Sequence, residues 1–200
     1  MTFGECKMIA LQKMSALSVS YLTESRDTRP YLDIMTAPAN EGILMIAAVC
    51  PVVRSVEIVQ TGGTQQGQRR YELAGLAPDF VRLRDDGVYT QRGGVSARCA
   101  DWQLEAGKVL LLPDREGLWR IYYEARPALF DEQSTDADPV DLPEQAASLL
   151  PLYVASQLFK DDDLSQAVQM RNEFELGLSR LAAAGQASSG GCFVSARRWF

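Results

Sequence analysis

The spacing of apolar residues changes twice along this chain, and the change limits the folds it can adopt. Toward both ends apolar residues recur every three or four positions, as in Leu32–Ala47 and Leu164–Leu181, which is the period of an amphipathic helix. Between Arg54 and Pro127 they alternate, which is the period of a half-buried strand. The pattern predicts an α+β fold, in which helices from both ends form one bundle around an inserted antiparallel β-meander or β-sandwich.

Four regions follow from this pattern. Residues 1–53 are predicted to hold the N-terminal helices, and residues 54–127 the inserted β region. Residues 128–184 are expected to form an acidic linker and a helix pair that completes the bundle. Residues 185–200, rich in glycine and serine at their start, predict a flexible, extended C-terminal arm.

The N-terminal region carries clear helix signals. Thr2 and Glu5 have the spacing of a capping box, so a helix should begin there. One apolar stripe is predicted along it: Phe3, Cys6, Ile9, Met14 and Leu17. A second helix is expected from Arg29 to about Val49, and Pro38 should kink or split it because proline lacks the backbone donor.

In the β region, Asp86-Gly87 and Gly93-Gly94 are predicted to be turns between short strands. The stretch from Asp101 to Pro127 predicts three antiparallel strands in a meander. In its last strand, Trp119, Ile121 and Tyr123 should share one face, with Arg120 and Tyr122 on the other.

After the acidic segment, Asp141 is the expected cap of a helix with Pro143 in its first turn. That helix should continue through Leu158, and another should run from Leu164 to about Ala184. Its predicted apolar residues are Leu164, Ala167, Val168, Phe174, Leu178 and Leu181.

Three adjacent aspartates, Asp161, Asp162 and Asp163, separate these two helices. A calcium loop would need alternating oxygen ligands and a central glycine, both absent here, and three consecutive carboxylates cannot all face one ion. A helix corner is therefore predicted, in which Asp161 or Asp162 binds free amides of the next helix and the other carboxylates favour its positive end.

Composition argues against most cofactor chemistry. The chain has no histidine, and its four cysteines form no CxxC pair, so no metal, cofactor or catalytic residues are predicted. A hydrolase built on paired carboxylates stays open, because such pairs meet only in the fold. We expect no enzyme activity.

The N-terminal stretch does not resemble a secretory signal and no apolar run is long enough to span a bilayer, so synthesis in a cytoplasm and no membrane partner are expected.

The net charge of −6 argues against ordinary binding of duplex DNA, which requires clustered Lys and Arg. It is compatible with a passage through which DNA slides without specific binding.

The last residues combine aromatic and basic side chains after a Gly/Ser linker. Either this end is disordered, or it is an assembly interface, since Trp, Phe and Arg dominate protein interfaces. The predicted interface residues are Phe193, Arg197, Arg198, Trp199 and Phe200. Arg197 and Arg198 are candidates to pair with the acidic residues 131–144 of a neighbouring copy.

The stretch from Ile121 to Leu181 combines an aromatic strand (IYYEARP), an acidic linker, a Leu-Pro helix start, an acidic corner and an Asn/Glu/Phe helix. It resembles head-to-tail adaptor (connector) proteins from the neck of tailed bacteriophages. The resemblance implies a helical bundle with an inserted β part and a virion location. It also implies a homo-oligomeric ring, often of twelve copies, between a portal protein and a tail or stopper protein. It implies no enzyme activity. Alternatives are another tail or baseplate structural protein, or a phage-encoded binding or regulatory module.

Overall fold

The computed structural model describes residues 1–14, 25–63, 67–92 and 94–189. The chain divides into a helical unit, residues 1–50 and 128–200, and a β unit, residues 51–127. The helices are α1 Phe3–Lys13, α2 Arg29–Leu32, α3 Thr36–Val49, α4 Leu73–Leu76, α5 Glu144–Ala147, α6 Leu150–Leu158 and α7 Leu164–Ser189. The strands are β1 Val52–Gln60, β2 Gln68–Glu72, β3 Phe80–Arg92, β4 Val95–Arg98, β5 Gln103–Glu105, β6 Val109–Pro113 and β7 Gly117–Ala125. The predicted α+β class, with helices at both ends and antiparallel sheets between them, is confirmed.

Helix α1 begins with the predicted capping box. The hydroxyl of Thr2 accepts a hydrogen bond from the Glu5 amide at 3.2 Å, and the Glu5 carboxylate accepts from the Thr2 amide at 2.8 Å. Its buried stripe differs from the prediction, because Ile9 is only half-buried. The buried residues of the stripe are Phe3, Cys6, Ala10, Leu11 and Met14. Leu17 lies outside the described residues.

The helix predicted from Arg29 to Val49 is split into α2 and α3. The break falls at residues 33–35, upstream of Pro38. Pro38 is the third residue of α3, where its missing N–H would have no intrahelical partner in any case. Starting the helix just before the proline therefore avoids the loss of a hydrogen bond.

The acidic segment packs along the start of α1. The Phe3 amide donates to Asp138 O at 2.8 Å and the Gly4 amide to Asp136 O at 2.9 Å. The rings of Phe3 and Phe130 stack with centroids 4.0 Å apart, and Lys7 Nζ lies 2.8 Å from Asp136 Oδ1. These contacts fix a segment that has no regular secondary structure of its own.

The helix predicted after Asp141 is also divided, into α5 and α6, and Asp141 is not its cap. The residue before α5 is Pro143, and the Asp141 carboxylate instead accepts from the Ala128 amide at 2.7 Å. Helix α6 is buried on nearly every side because it packs against α1, α3 and α7. Its buried residues are Leu150, Pro151, Tyr153, Val154, Ala155, Ser156 and Leu158.

Helix α7 continues to Ser189, five residues beyond the predicted end near Ala184 and into the region expected to be a flexible arm. The row that it buries is Ala167, Met170 and Phe174. Leu164 and Val168 were predicted to lie in the buried row, and this is wrong, because both are exposed.

The β unit contains two antiparallel sheets, with strand orders β1-β7-β3-β4 and β2-β6-β5. In β7 the predicted division of faces is confirmed: Trp119, Ile121 and Tyr123 are buried, while Arg120 is exposed and Tyr122 half-buried. The predicted meander holds only in part, because β5 pairs with β6 but β6 and β7 belong to different sheets.

The predicted turn at Asp86-Gly87 is wrong, because these residues lie inside the single strand β3. Leu83 pairs with Tyr123 and Val88 with Ile121, so the four residues from Arg84 to Gly87 stand opposite Tyr122 alone. This irregularity resembles an extended β-bulge. Glycine is required there, because a β-carbon on Gly87 would lie 2.3 Å from the carbonyl oxygen of Tyr122.

Candidate assembly surfaces

The three aspartates lie between α6 and α7, and only Asp163 caps the second helix. Its Oδ1 accepts from the Gln166 amide at 3.1 Å and its carbonyl from the Ala167 amide at 3.0 Å. The cap is thus Asp163 rather than Asp161 or Asp162, since it is the residue directly before the first helical turn. Asp162 Oδ2 accepts a hydrogen bond from the Tyr31 hydroxyl at 2.5 Å, which raises the pKa of that phenol.

Within the residues that the structure describes, no group of three or more His, Cys, Asp or Glu side chains is arranged to hold a metal ion. None of the described helices is long and apolar enough to cross a membrane. The predicted interface residues Phe193, Arg197, Arg198, Trp199 and Phe200 lie outside the described part of the chain.

Helix α7 carries a second apolar row in addition to its buried one, which we call the outer row. It consists of Leu164, Val168 and Leu176, which are 65%, 50% and 52% exposed. They stand at positions i, i+4 and i+12, which keeps them on one side of the helix, away from Met170 and Phe174. Leu164 and Val168 are neighbours one turn apart, whereas Leu176 lies two turns further along, beyond the exposed Asn172. Contiguous exposed apolar side chains mark interaction surfaces, so Leu164 and Val168 are the centre of the outer row.

Four aspartates of the acidic segment have partners within their own chain. Asp131 accepts from Ser134 and from the Gln133 amide, which lowers its pKa, and Asp138 accepts from Thr135. Asp136 pairs with Lys7, and Asp141 binds the Ala128 amide. These groups hold the segment in place and are only partly available for a neighbour's arginines.

In the β unit, the sheet β1-β7-β3-β4 has an outward face that is polar and aromatic. Arg120 Nε donates to Glu57 Oε1 at 2.9 Å, and this bond raises the pKa of Arg120. The rings of Tyr89 and Tyr122 meet edge to face with centroids 5.8 Å apart. A depression of about 320 Å³ lies beside them, bordered by Arg84 and Arg120 among others.

The two outer strands of this sheet differ in length. Within the described part of the chain, β1 pairs on one side only, with β7, over nine residues from Val52–Ala125 to Gln60–Gly117 without a register shift. At the other edge, β4 has four residues, all exposed. A long, regular edge presents unpaired backbone groups that another extended chain can bind.

Sequence reasoning missed both the outer row and the β1 edge. The presence of two apolar rows on α7 was detectable, because Ala167 and Val168 are about 100° apart around a helix and cannot both be central to one buried stripe, whereas the choice of the buried row depends on packing against α6. The β1 edge was not detectable, because strand order depends on pairing between segments far apart in the sequence.

No protein-family model matches the chain, and no curated protein sequence matches it. Among solved structures, one similar chain comes from the "Neck of empty GTA particle computed with C6 symmetry", with 14% identity, 78% of this chain and 79% of that chain covered, and a TM-score of 0.24. This score is too low for the likeness to support a conclusion about the present chain.

Proposed function

We propose that the protein is a structural head-to-tail adaptor of a tailed phage or prophage, assembled as a ring between a portal protein and a tail or stopper protein. The observation that carries the proposal is the pattern from Ile121 to Leu181, which resembles such adaptors. Its parts are the aromatic strand β7, the acidic segment, and α6 and α7 joined at the aspartates. The proposal includes no enzyme activity, no cofactor and no specific DNA binding, with DNA passing through the ring.

The outer row of α7 supports this proposal. A subunit of a closed ring needs two different contact surfaces, because head-to-tail packing is heterologous. Leu164, Val168 and Leu176 offer one such apolar surface, and covering it would remove exposed apolar area at about 25 cal/mol per Å². The predicted interface at residues 193–200 offers a second.

The direct test is the composition of purified particles. The protein is expected in several copies per particle by quantitative mass spectrometry, and deletion of its gene should leave heads without attached tails in electron micrographs. Complete, infectious particles without the protein would refute the structural role.

Two sets of variants test the surfaces. Val168→Gln with Leu176→Gln should lower incorporation into particles while the isolated protein stays folded, whereas Arg180→Gln, an exposed change on the same helix, should not.

Deleting residues 192–200 should leave the melting temperature nearly unchanged and block incorporation. Trp199→Ala should cause most of that defect, since a buried interface Trp commonly contributes about 2 kcal/mol or more. Normal assembly of both sets would remove these surfaces from the proposal.

A further inference from the structure

Strand β1 has few of the features that usually protect the edge of a sheet. It contains neither proline nor lysine, and its pairing with β7 continues without a bulge for nine residues. Its two charged side chains bond within the β unit, Arg54 to Asp79 and Glu57 to Arg120. Both charges are therefore already paired within the β unit and do little to prevent another strand from pairing with this edge.

The outward side chains of β1 form an ordered pattern. Successive outward positions are Val53, Ser55, Glu57 and Val59, and Val59 is 71% exposed. The row is thus apolar at both ends and polar in the middle, with one carboxylate. A strand that adds to this edge gains most when it repeats the apolar ends and supplies a cation near the centre.

Residues 192–200 match this pattern. Alternate residues of that segment are Phe193, Ser195, Arg197 and Trp199, which have the same order of apolar, serine, charged and apolar side chains. The segment has nine residues, as does β1, and begins soon after α7 ends at Ser189. Phe, Val and Trp favour strands.

The match of the outward row holds for either strand direction. The other face distinguishes the two, because Arg198 stands opposite Ile58 in a parallel arrangement and opposite the like charge of Arg54 in an antiparallel one. In a parallel arrangement Glu57 stands opposite Arg197, and Val53 and Val59 stand opposite Phe193 and Trp199. In an antiparallel arrangement the apolar ends still meet, and Glu57 lies diagonal to Arg197, within reach of a long side chain.

We propose that residues 192–200 of a second copy add to the outer edge of β1 as a fifth strand of its sheet. Backbone hydrogen bonds hold the added strand, and the Val–aromatic ends select it together with Arg197, which shares the Glu57 carboxylate with Arg120. Because one copy donates the segment and another receives it, the contact is heterologous and propagates around a ring. The inference rests on the proposed function only in taking the second copy to be the ring neighbour.

Disulfide cross-linking of the full-length chain tests this, because native Cys192 opens the segment. Val52→Cys and Gln60→Cys each place a thiol on β1, directly opposite Cys192 in the parallel and antiparallel arrangements respectively. Ser96→Cys, on the exposed strand β4 of the same sheet, is the matched control. Cross-linking of the wild-type chain gives the background that Cys6, Cys50 and Cys99 contribute. Adding Cys192→Ser to each variant removes the thiol with which the introduced cysteine is expected to bond.

After mild oxidation of cells that produce particles, one of the two β1 variants should give a ladder of dimers, trimers and higher species on non-reducing gels. The yield should be about tenfold above Ser96→Cys, since pairing raises the local thiol concentration, and Cys192→Ser should abolish it. Yields no higher than the control, or cross-links only within one chain, would overturn the inference.

The location of the cross-linked species separates this inference from the proposed function. Particles that contain the protein without cross-links would refute the strand pairing and leave the adaptor role standing. A ladder confined to the soluble fraction, with no protein in particles, would support the pairing and refute the adaptor role. Dimers alone would support pairing between two copies and contradict a ring.

Discussion

The helical unit and the β unit are both packed by distant contacts, such as Phe3 with Phe130, but they differ in how far along the sequence the hydrogen bonds that define their elements reach. The helix ends are fixed locally, by Thr2 with Glu5 and by Asp163 with Gln166. In the β unit, by contrast, Val52 pairs with Ala125 at the far end of the insertion. Local signals can therefore be read from a short window of sequence, whereas strand pairing needs the whole insertion.

The two units also leave different surfaces open. The helical unit surrounds α6 with α1, α3 and α7 and exposes the outer row of α7. The β unit leaves the edge of β1 unpaired within the described residues. The helical unit thus presents exposed apolar side chains to a partner, whereas the β unit presents unpaired backbone groups. The following predictions test this contrast, in order of decreasing effect.

Truncating one large buried side chain in each unit tests whether the units are stabilised separately. Phe174→Ala in the helical unit and Trp119→Ala in the β unit should each cost about 3–5 kcal/mol of unfolding free energy. Hydrogen exchange followed by mass spectrometry should show faster exchange mainly in the unit that carries the change. Equal acceleration in both units for both variants would mean that they unfold as one.

Gly87→Ala tests the irregular pairing of β3 with β7. The added β-carbon would meet the backbone of Tyr122, which cannot move without breaking the sheet, so a loss of about 3 kcal/mol is expected, at the upper end of overpacking costs. Gly75→Ala, where no atom lies within 4 Å of the added carbon, is the control for urea unfolding. Equal midpoints for the two variants would show that the close approach does not constrain β3.

Two glycines on α7 allow the cost of overpacking a side chain to be compared with the gain in helix propensity within one helix. A β-carbon on Gly177 would lie 2.5 Å from Leu149 Cδ2, so Gly177→Ala should incur an overpacking cost of about 1–3 kcal/mol, reduced by a helix-propensity gain of up to about 1 kcal/mol. Gly185 has no atom within 4 Å of an added β-carbon, and Gly185→Ala should stabilise the helix by up to about 1 kcal/mol. The melting temperatures of the two variants should shift in opposite directions from that of the native protein. Shifts of the same sign would contradict this account of the Gly177 contact.

Alkaline pH should weaken the helical unit through Tyr153. Burial, and then a hydrogen bond with Glu41, raises the pKa of Tyr153 to about 12. The unfolded phenol releases its proton near pH 10, so this stabilisation is complete below pH 10 and is lost as pH rises from 10 to about 12. The loss is on the order of 1 kcal/mol. Tyr153→Phe should reduce the dependence of the unfolding free energy on pH in this range. An unchanged slope would mean that other groups cause the loss of stability.

The smallest expected effect concerns the helix corner. Asp163→Ala should cost about 1 kcal/mol because it removes the cap of α7. Replacing Asp162 and Asp163 together with asparagine should be nearly neutral, since asparagine also accepts hydrogen bonds from amides and from the Tyr31 hydroxyl. Calorimetry should detect no tight Ca²⁺ binding in the native protein. Binding that disappears in the double variant would restore the metal interpretation.

The sequence alone determined the elements whose signals are local. The capping box, the break in the second helix, the faces of β7 and the two changes of period were all predicted, because each depends on residues within a few positions of one another. The changes of period alone indicated the α+β class. The corner at Asp161–Asp163 was expected for the same reason, although the capping residue was misassigned by one or two positions.

Only the tertiary structure decided which strands pair, which side of α7 is covered and where Asp141 binds. A Gly-containing dipeptide such as Asp86-Gly87 fits a turn or a bulge equally well, and the choice depends on Tyr122, far along the chain. Leu164 and Val168 have the same apolar character as buried residues, and only the placement of α6 leaves them exposed. Local sequence fixes what an element is, whereas burial and pairing depend on partners that the fold brings together.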